Sequence, residues 1–338
     1  MLDDSFSAMG SVARVVRERD QGIDVAAMFV EIERRLSRFD PTSDLSRLNA
    51  DPRSCVPAGP LLRAAVAAAL RAASLSGGLV DPTLLGALRE VGYSESRAHV
   101  HPASLLRALS CAPPRCPARP AAAAEWRSVE VDDRARVIRR PAGLELDLGG
   151  SVKGWAADLV ASRIARNGRC AVDCGGDLRV AGRRGAPWEV RVRHPLTGAV
   201  VHTLLLRAGG VATSGIDARI WERDDGDFAH HLLDPATGKA AWTGLIAATA
   251  VAPTALDAEA LAKAALLSGP AAGRRLLAAR HGGVLIHDDG EAEVVDSRRR
   301  HARFPPRRSA ALEPALRGYA ALTARVGSGS HVSKYGVR

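Results

Sequence analysis

Between Leu144 and Asp177 the chain runs LELDLGGSVKGWAADLVASRIARNGRCAVDCGGD, and this stretch restricts the fold more than any other. Leu144, Leu146 and Leu148 alternate with Glu145 and Asp147, the period of a strand with one buried face. Gly149 and Gly150 follow, a pair that permits positive φ and close approach of backbone to a ligand. Ser151 is placed to cap what comes next, and from Gly154 onward Trp155, Leu159, Val160 and Ile164 recur at helical spacing until Asn167-Gly168 stops the helix. A strand, a glycine turn and a helix in that order aim free N–H groups at one place, which suits a phosphate. On pattern alone the double glycine also fits a tight packing turn, because it is neither G-x-G-x-x-G nor a P-loop. Asp173-Cys174-Gly175-Gly176-Asp177 repeats the arrangement of an acid beside paired glycines, so two such turns stand close together in sequence.

The flanking chain supplies both helices and strands. Phe6 to Arg17 has strand character with a bend at Met9-Gly10. Asp24 is placed to cap a helix whose apolar face is Val25, Met28, Phe29, Ile32, Leu36 and Phe39, ended by Pro41. Pro60 to Ser76 is a helix with an alanine-rich face, and Asp81 in Leu79-Val80-Asp81-Pro82-Thr83 is placed to cap a short one. Residues 94–124 carry CAPPRCPARPAAAA, expected as a surface insertion or linker. Trp188 to Arg193 and Ala199 to Leu206 form a hairpin around His194-Pro195-Leu196-Thr197-Gly198, with His194 and His202 as solvent-side residues. Val211 to Gly215 and Leu245 to Val251 are strands, Ala255 to Leu267 and Pro270 to His281 helices, and Gly283 to His287 closes a hairpin with Glu291 to Val295. On the helix from Ala255, Glu259 and Lys263 stand in the i,i+4 order that favours an ion pair. Adjacent His230 and His231 point to opposite faces of extended backbone, so only one can serve a common site.

Composition narrows the class. At 46% hydrophobic and 4% aromatic, 338 residues bury a core built mainly of Ala, Val and Leu. Five cysteines without C-x-x-C spacing (Cys55, Cys111, Cys116, Cys170, Cys174) argue against a disulfide framework or a structural zinc site, and Cys174 is expected as a small buried residue. With no basic n-region, apolar h-region, lipobox or membrane-length apolar run, the expectation is a cytoplasmic protein without membrane insertion. From Ser297 onward ten Lys/Arg face one acid, Glu313, so nine of the ten net positive charges belong to a tail, expected to be disordered. No aromatic-interleaved basic motif in the body supports a nucleic-acid surface.

DLGGSVKGWAAD (147–158) resembles the DLGG-x-x-KG-x-A-x-D signature of the FAD:protein FMN transferase (ApbE-like) family, and CGGD (174–177) resembles its LGGD turn. SAMGS (7–11), SRFDPTSDLSRLN (37–49), GGLVDPT (77–83), VATSG (211–215), HLLDPATGK (231–239) and TAVAPTALDAEALAKAAL (249–266) are similar to further family motifs in the family's order, over about residues 5–295. The resemblance implies an α+β protein with mixed sheets, packed helices and an FAD cleft between two lobes, in a unit spanning residues 1–296. It implies transfer of FMN from FAD to a Thr or Ser hydroxyl of an acceptor protein with a D-x-x-[ST]-G-A-[AT]-like motif, releasing AMP, with FAD hydrolysis as a side activity.

The same resemblance implies catalytic roles for His231 and Lys153. Flavin-nucleotide contacts are implied for Met9, Phe39, Leu79, Val80, Asp81, Gly149, Lys153, Trp155, Asp177, Ser214, His231 and Leu232, although pattern alone puts Met9 and Phe39 in the core. Mg²⁺ would be held at Val152, Asp257 and Glu259. Here the sequence departs from the family: Lys263 occupies a metal-ligand position, and lysine has no acceptor. Either Asp257 and Glu259 hold the ion differently or Lys263 supplies the positive charge. Ile216 to Arg219 keeps only the arginine of the family's S-G-[DN]-[YF]-x-[RK] segment. These departures leave open a degenerate member that binds FAD without transferring it. Lys153 and Asp177 either orient the site or link the two glycine turns.

Overall fold

The first alternating run folds as two strands, not one bent one. In this computed structural model, which describes residues 1–182 and 185–298, β1 (Leu2–Ala8) and β2 (Ser11–Arg17) pair antiparallel. Met9 and Gly10 make the two-residue turn between them, at φ 53° and 67°. Helix α1 (Val25–Leu36) starts where expected, with the Asp24 carboxylate accepting the Ala27 N–H at 2.9 Å. It stops at Leu36, so Phe39 falls beyond the helix and is 37% exposed instead of continuing the apolar face. Ser43 caps a further short helix, α2 (Asp44–Ala50), before β3 (Cys55–Pro57) and the alanine-faced α3 (Pro60–Leu75). Asp81 caps no helix. Its Oδ1 accepts from the N–H and hydroxyl of Thr83 at 2.8 and 2.6 Å, an Asx turn, and α4 (Leu85–Glu90) begins later.

The Pro/Ala-rich segment contains α5 (Leu105–Cys111) and then lies along the body. Cys116 N–H donates to the Trp242 carbonyl, Ala118 N–H to Leu267, and Arg119 N–H to the Asp234 carboxylate, all within 2.9 Å. Next come β4 (Glu130–Asp132) and β5 (Val137–Arg139), which form a small sheet with β3. Leu144 to Leu148 then runs without becoming a strand. Leu146 and Leu148 are buried as the alternation requires, but the Asn49 side chain satisfies both the N–H and C=O of Leu146, at 2.9 and 2.8 Å.

The remaining elements are α6 (Val152–Ile164), β6 (Cys170–Cys174), β7 (Asp177–Ala181), the hairpin β8 (Trp188–Arg193) and β9 (Val200–Leu206), β10 (Gly209–Gly215), the short pair β11 (Ile220–Glu222) and β12 (Phe228–His230), and β13 (Leu245–Ala252). After them come α7 (Ala255–Leu267), α8 (Gly269–Ala279), β14 (Gly283–His287) and β15 (Ala292–Val295). The main sheet has eight strands in the order β1-β2-β6-β7-β10-β13-β14-β15. Every pairing in it is antiparallel, and sheets and helices pack together as the expected α+β fold. His194 is buried, with Nε2 3.0 Å from the Gly290 carbonyl, and is not the solvent-side residue expected. The expected tail, beyond Arg298, lies outside the described residues.

Helix α7 is buried along its whole length, including Asp257, Glu259 and Lys263, which marks it as the central helix between the sheet and its neighbours. One core packs Phe29, Trp155 and Leu159 among α1, α3 and α6; the other packs Ile246, Leu261 and Leu285 around α7 and the far strands. The two helices at the join are locked together. A Cβ at Gly154 would stand 2.6 Å from the Ala255 carbonyl, so only glycine permits this crossing. Asp158 of α6 accepts the Ala255 and Leu256 N–H groups at 2.9 and 3.0 Å, capping α7 from outside. Burial, opposed by Arg179, pushes the Asp158 carboxyl up to about 6.

Candidate active site

Two cavities open on the line where the cores meet, of about 450 and 650 Å³, within the range of small-molecule sites. The first is apolar with an aromatic rim. Leu79, Val80, Leu232 and Met9 line it, and Phe39 and Tyr93 face each other at 5.7 Å between ring centroids. The Arg38 guanidinium lies over both rings at 4.1 and 4.6 Å. Arg38 is itself fixed by Asp147 at 3.1 Å and by the Tyr93 carbonyl at 2.7 Å. Burial raises the Asp147 carboxyl, against Arg38. The second cavity is framed by the hairpin turns at Gly10-Ser11 and Gly175-Gly176, by Thr213 and Ser214 of β10, and by Asp217 and His194.

Gly10, Gly149, Lys153, Arg219, His231 and Lys263 line both cavities, so the junction carries three cationic side chains and one imidazole. Lys153 projects from the first turn of α6 onto Asp177 at 3.1 Å. Burial opposes its charge, but Asp177 and Glu259 outweigh that and hold its pKa above the ordinary lysine value. Lys263 Nζ donates to Glu259 Oε1 at 2.7 Å, the expected i,i+4 pair. Burial, reinforced by Asp177, pushes Glu259 up to about 7 against the pull of both lysines. Burial and then the charges of Arg219 and its neighbours hold His231 well below the usual histidine range, so its imidazole is neutral. His231 Nδ1 is buried with no partner of its own among the described residues. His230 faces the other way, into the core, edge-on to Trp242 with Nδ1 accepting the Leu232 N–H.

The glycine turns differ from expectation. Neither Gly149 nor Gly150 has positive φ; a Cβ would instead press on the Asp147 carboxylate at 3.1 Å and on Val80 at 3.2 Å. Positive φ is used at Gly175 and Gly176, the tight β6–β7 turn, where a Cβ on Gly175 would collide with Ser11. Ser151 occupies the N-cap position of α6, but its hydroxyl donates to the Leu148 carbonyl. The free N–H groups expected to face a phosphate are partly spent: Val152 N–H bonds the Leu148 carbonyl, and Gly154 N–H donates to Glu259 Oε2 at 2.9 Å.

The first cavity thus gathers Met9, Phe39, Leu79, Val80, Asp81, Gly149, Val152, Lys153, His231 and Leu232, and the second takes Ser214. Trp155, 1% exposed, packs in the core instead, and Asp177, also 1% exposed, lies beneath Lys153. The residues implied for Mg²⁺ do not fit a divalent cation. Both oxygens of Asp257 are engaged by Arg71 at 2.8 Å, and both of Glu259 by Lys263 and Gly154. Among the described residues no three His, Cys, Asp or Glu side chains converge on a metal site. Arg38 and Tyr93 went unassigned in the sequence. Arg38 adjoins Phe39 inside a recognised motif, whereas Tyr93 carries no local signal and reaches the rim only through tertiary packing.

The chain is thus an antiparallel α+β protein in which an apolar cleft meets a cationic junction. The sequence profile of the ApbE family matches residues 9–286, and the chain belongs to that family. The FAD:protein FMN transferase of Treponema pallidum is 31% identical over 262 residues, 73% of this chain and 70% of that one. The FAD:protein FMN transferase of Chlamydia trachomatis is 28% identical over 222 residues, and the match spans 64% of this chain and 64% of the length of that relative. The crystal structure of the ApbE protein of Thermotoga maritima superposes with a TM-score of 0.70 at 26% identity, covering 87% of this chain and 96% of that chain.

Proposed function

We propose that the protein transfers FMN from FAD to a Thr or Ser hydroxyl of an acceptor protein and releases AMP. The observation that carries this is the meeting of two cavities at Lys153, Arg219, His231 and Lys263. The apolar cavity, with Phe39, Tyr93, Leu79 and Leu232, suits the planar flavin or adenine; the pyrophosphate falls at the cationic junction; the second cavity admits the acceptor hydroxyl. Family membership and relatives named FAD:protein FMN transferases support the same assignment.

In this reaction the acceptor oxygen attacks the phosphorus on the flavin side of the pyrophosphate. The P–O bond to the AMP phosphate breaks, and FMN remains on the acceptor as a phosphoester. His231, neutral and with an unpartnered ring nitrogen, takes the hydroxyl proton. The pyrophosphate brings negative charge beside the imidazole, which raises its basicity just when substrate is bound. Lys153 and Arg219 hold the phosphates in line and offset the charge that develops on the departing AMP. Nothing here passes through a metal ion, because Asp257 and Glu259 are already paired with Arg71 and Lys263.

The test is to incubate the purified chain with FAD and a tagged acceptor peptide carrying D-x-x-[ST]-G-A-T, then follow AMP by chromatography and covalent flavin on the peptide by mass. Stoichiometric AMP and flavin-bearing peptide are expected. Tightly bound FAD with neither product would replace this assignment by an FAD-binding protein, which the closed Glu259–Lys263 pair favours as the second reading.

A further inference from the structure

We propose that Lys263 is the resident cation of the junction: with Lys153 and Arg219 it forms a metal-free seat for the diphosphate of FAD, so that this chain binds its nucleotide without a divalent ion. The inference rests on the FAD assignment above and goes beyond it in saying what neutralises the phosphates. A divalent cation needs several oxygen ligands with lone pairs to spare. Four carboxylates around the junction are each paired with a cationic side chain. Glu259 is held by Lys263 Nζ at 2.7 Å and the Gly154 N–H at 2.9 Å, Asp257 by both arms of Arg71, Asp177 by Lys153 at 3.1 Å and Asp147 by Arg38 at 3.1 Å. Lys263 is buried yet lines both cavities, and Lys153 and Arg219 line the same two, so a metal ion would face three like charges.

An anionic diphosphate meets the opposite situation. Lysine carries three donors, and Glu259 uses one of those on Lys263, leaving the rest for phosphate oxygens. The pair with Glu259 also fixes the ammonium before ligand arrives, which lowers the ordering cost of binding. Riboflavin has the same ring system and no phosphate, so it separates the apolar cavity from the seat.

Flavin fluorescence titrations of FAD and riboflavin, in EDTA and in Mg²⁺, on the wild type and on Lys263→Met and Lys263→Arg, test this directly. Wild-type FAD affinity should be the same in EDTA as in Mg²⁺. Lys263→Met should weaken FAD about tenfold to hundredfold, the loss of one charge-assisted phosphate contact, and leave riboflavin unchanged. Lys263→Arg should keep FAD affinity near the wild type, again without metal. The wild-type arm decides the question even if Lys263→Met fails to fold. FAD affinity that collapses in EDTA and returns with Mg²⁺ would overturn the metal-free seat alone. Failure of the wild type to bind either flavin would overturn the FAD assignment with it.

Discussion

Lys153–Asp177 and Lys263–Glu259 place the same chemistry at one junction by different means. Lys153 reaches from α6 to the first residue of β7, a contact set by tertiary packing and the Gly175-Gly176 turn. Lys263 meets Glu259 one turn away on α7, a contact set by helix geometry alone. Glu259 has a second bond, to the Gly154 N–H across the α6–α7 crossing, which Asp177 lacks among the described residues. The local pair therefore ties two helices together, while the long-range pair mainly aims one lysine. Removing the acids should separate these roles. Asp177→Ala removes the fully buried acid that Lys153 pairs with and should cost ~3–5 kcal/mol in urea unfolding. Glu259→Gln keeps an acceptor for Gly154 and should cost less, ~1–3 kcal/mol. Equal losses would show that the two pairs are energetically interchangeable and break the contrast.

The crossing itself gives the next test. Gly154→Ala drives a methyl into the Ala255 carbonyl, 2.6 Å from where its Cβ would sit, and should cost ~1–3 kcal/mol by overpacking. Thermal unfolding measures it; a neutral substitution would mean that α6 can slide on α7 and that Glu259, not glycine, sets their approach. The acid pair also has a pH signature. Glu259 has a raised folded pKa, so the folded state keeps a proton that the unfolded chain gives up between about 4.5 and about 7. Its contribution is fully present below that interval and is lost as pH rises through it. Unfolding free energies of the wild type should therefore fall, relative to Glu259→Gln, across the interval and run parallel to the variant above it. Wild-type and Glu259→Gln curves that run parallel across the interval would show Glu259 ionised there and its folded pKa not raised.

Much of this was legible because it is local. The Glu259–Lys263 spacing, the Asp24 cap and the span of α7 follow from positions a few residues apart, where helix geometry leaves little freedom. The 147–158 signature was legible as a motif but not in its division of labour. Lys153 enters the cavities, whereas Gly154 serves a helix crossing, Asp158 caps another helix and Trp155 fills the core. What stayed hidden depends on partners far along the chain. Asn49 completes the backbone bonds of Leu146 from 97 residues away and turns an apparent strand into a strut. Arg71 claims Asp257 from 186 residues away, and with it an acid that the pattern had offered to a metal. Periodicity reports which face is buried; it does not report which distant side chain arrives there.

The smallest effect concerns the rim, where the contrast moves from charge to stacking. Phe39 is 37% exposed and holds no core position, so Phe39→Ala should leave the unfolding midpoint unchanged. Its ring faces Tyr93 at 5.7 Å beneath Arg38, at the mouth of the apolar cavity. If the flavin ring lies there, the substitution removes one aromatic contact and should weaken FAD and riboflavin alike by ~0.5–1.5 kcal/mol, about threefold to tenfold. That parallel loss distinguishes it from Lys263→Met, which should spare riboflavin. A Phe39→Ala variant that binds riboflavin normally but loses FAD would put the adenine, not the flavin, against this rim and reverse the direction in which the dinucleotide lies across the junction.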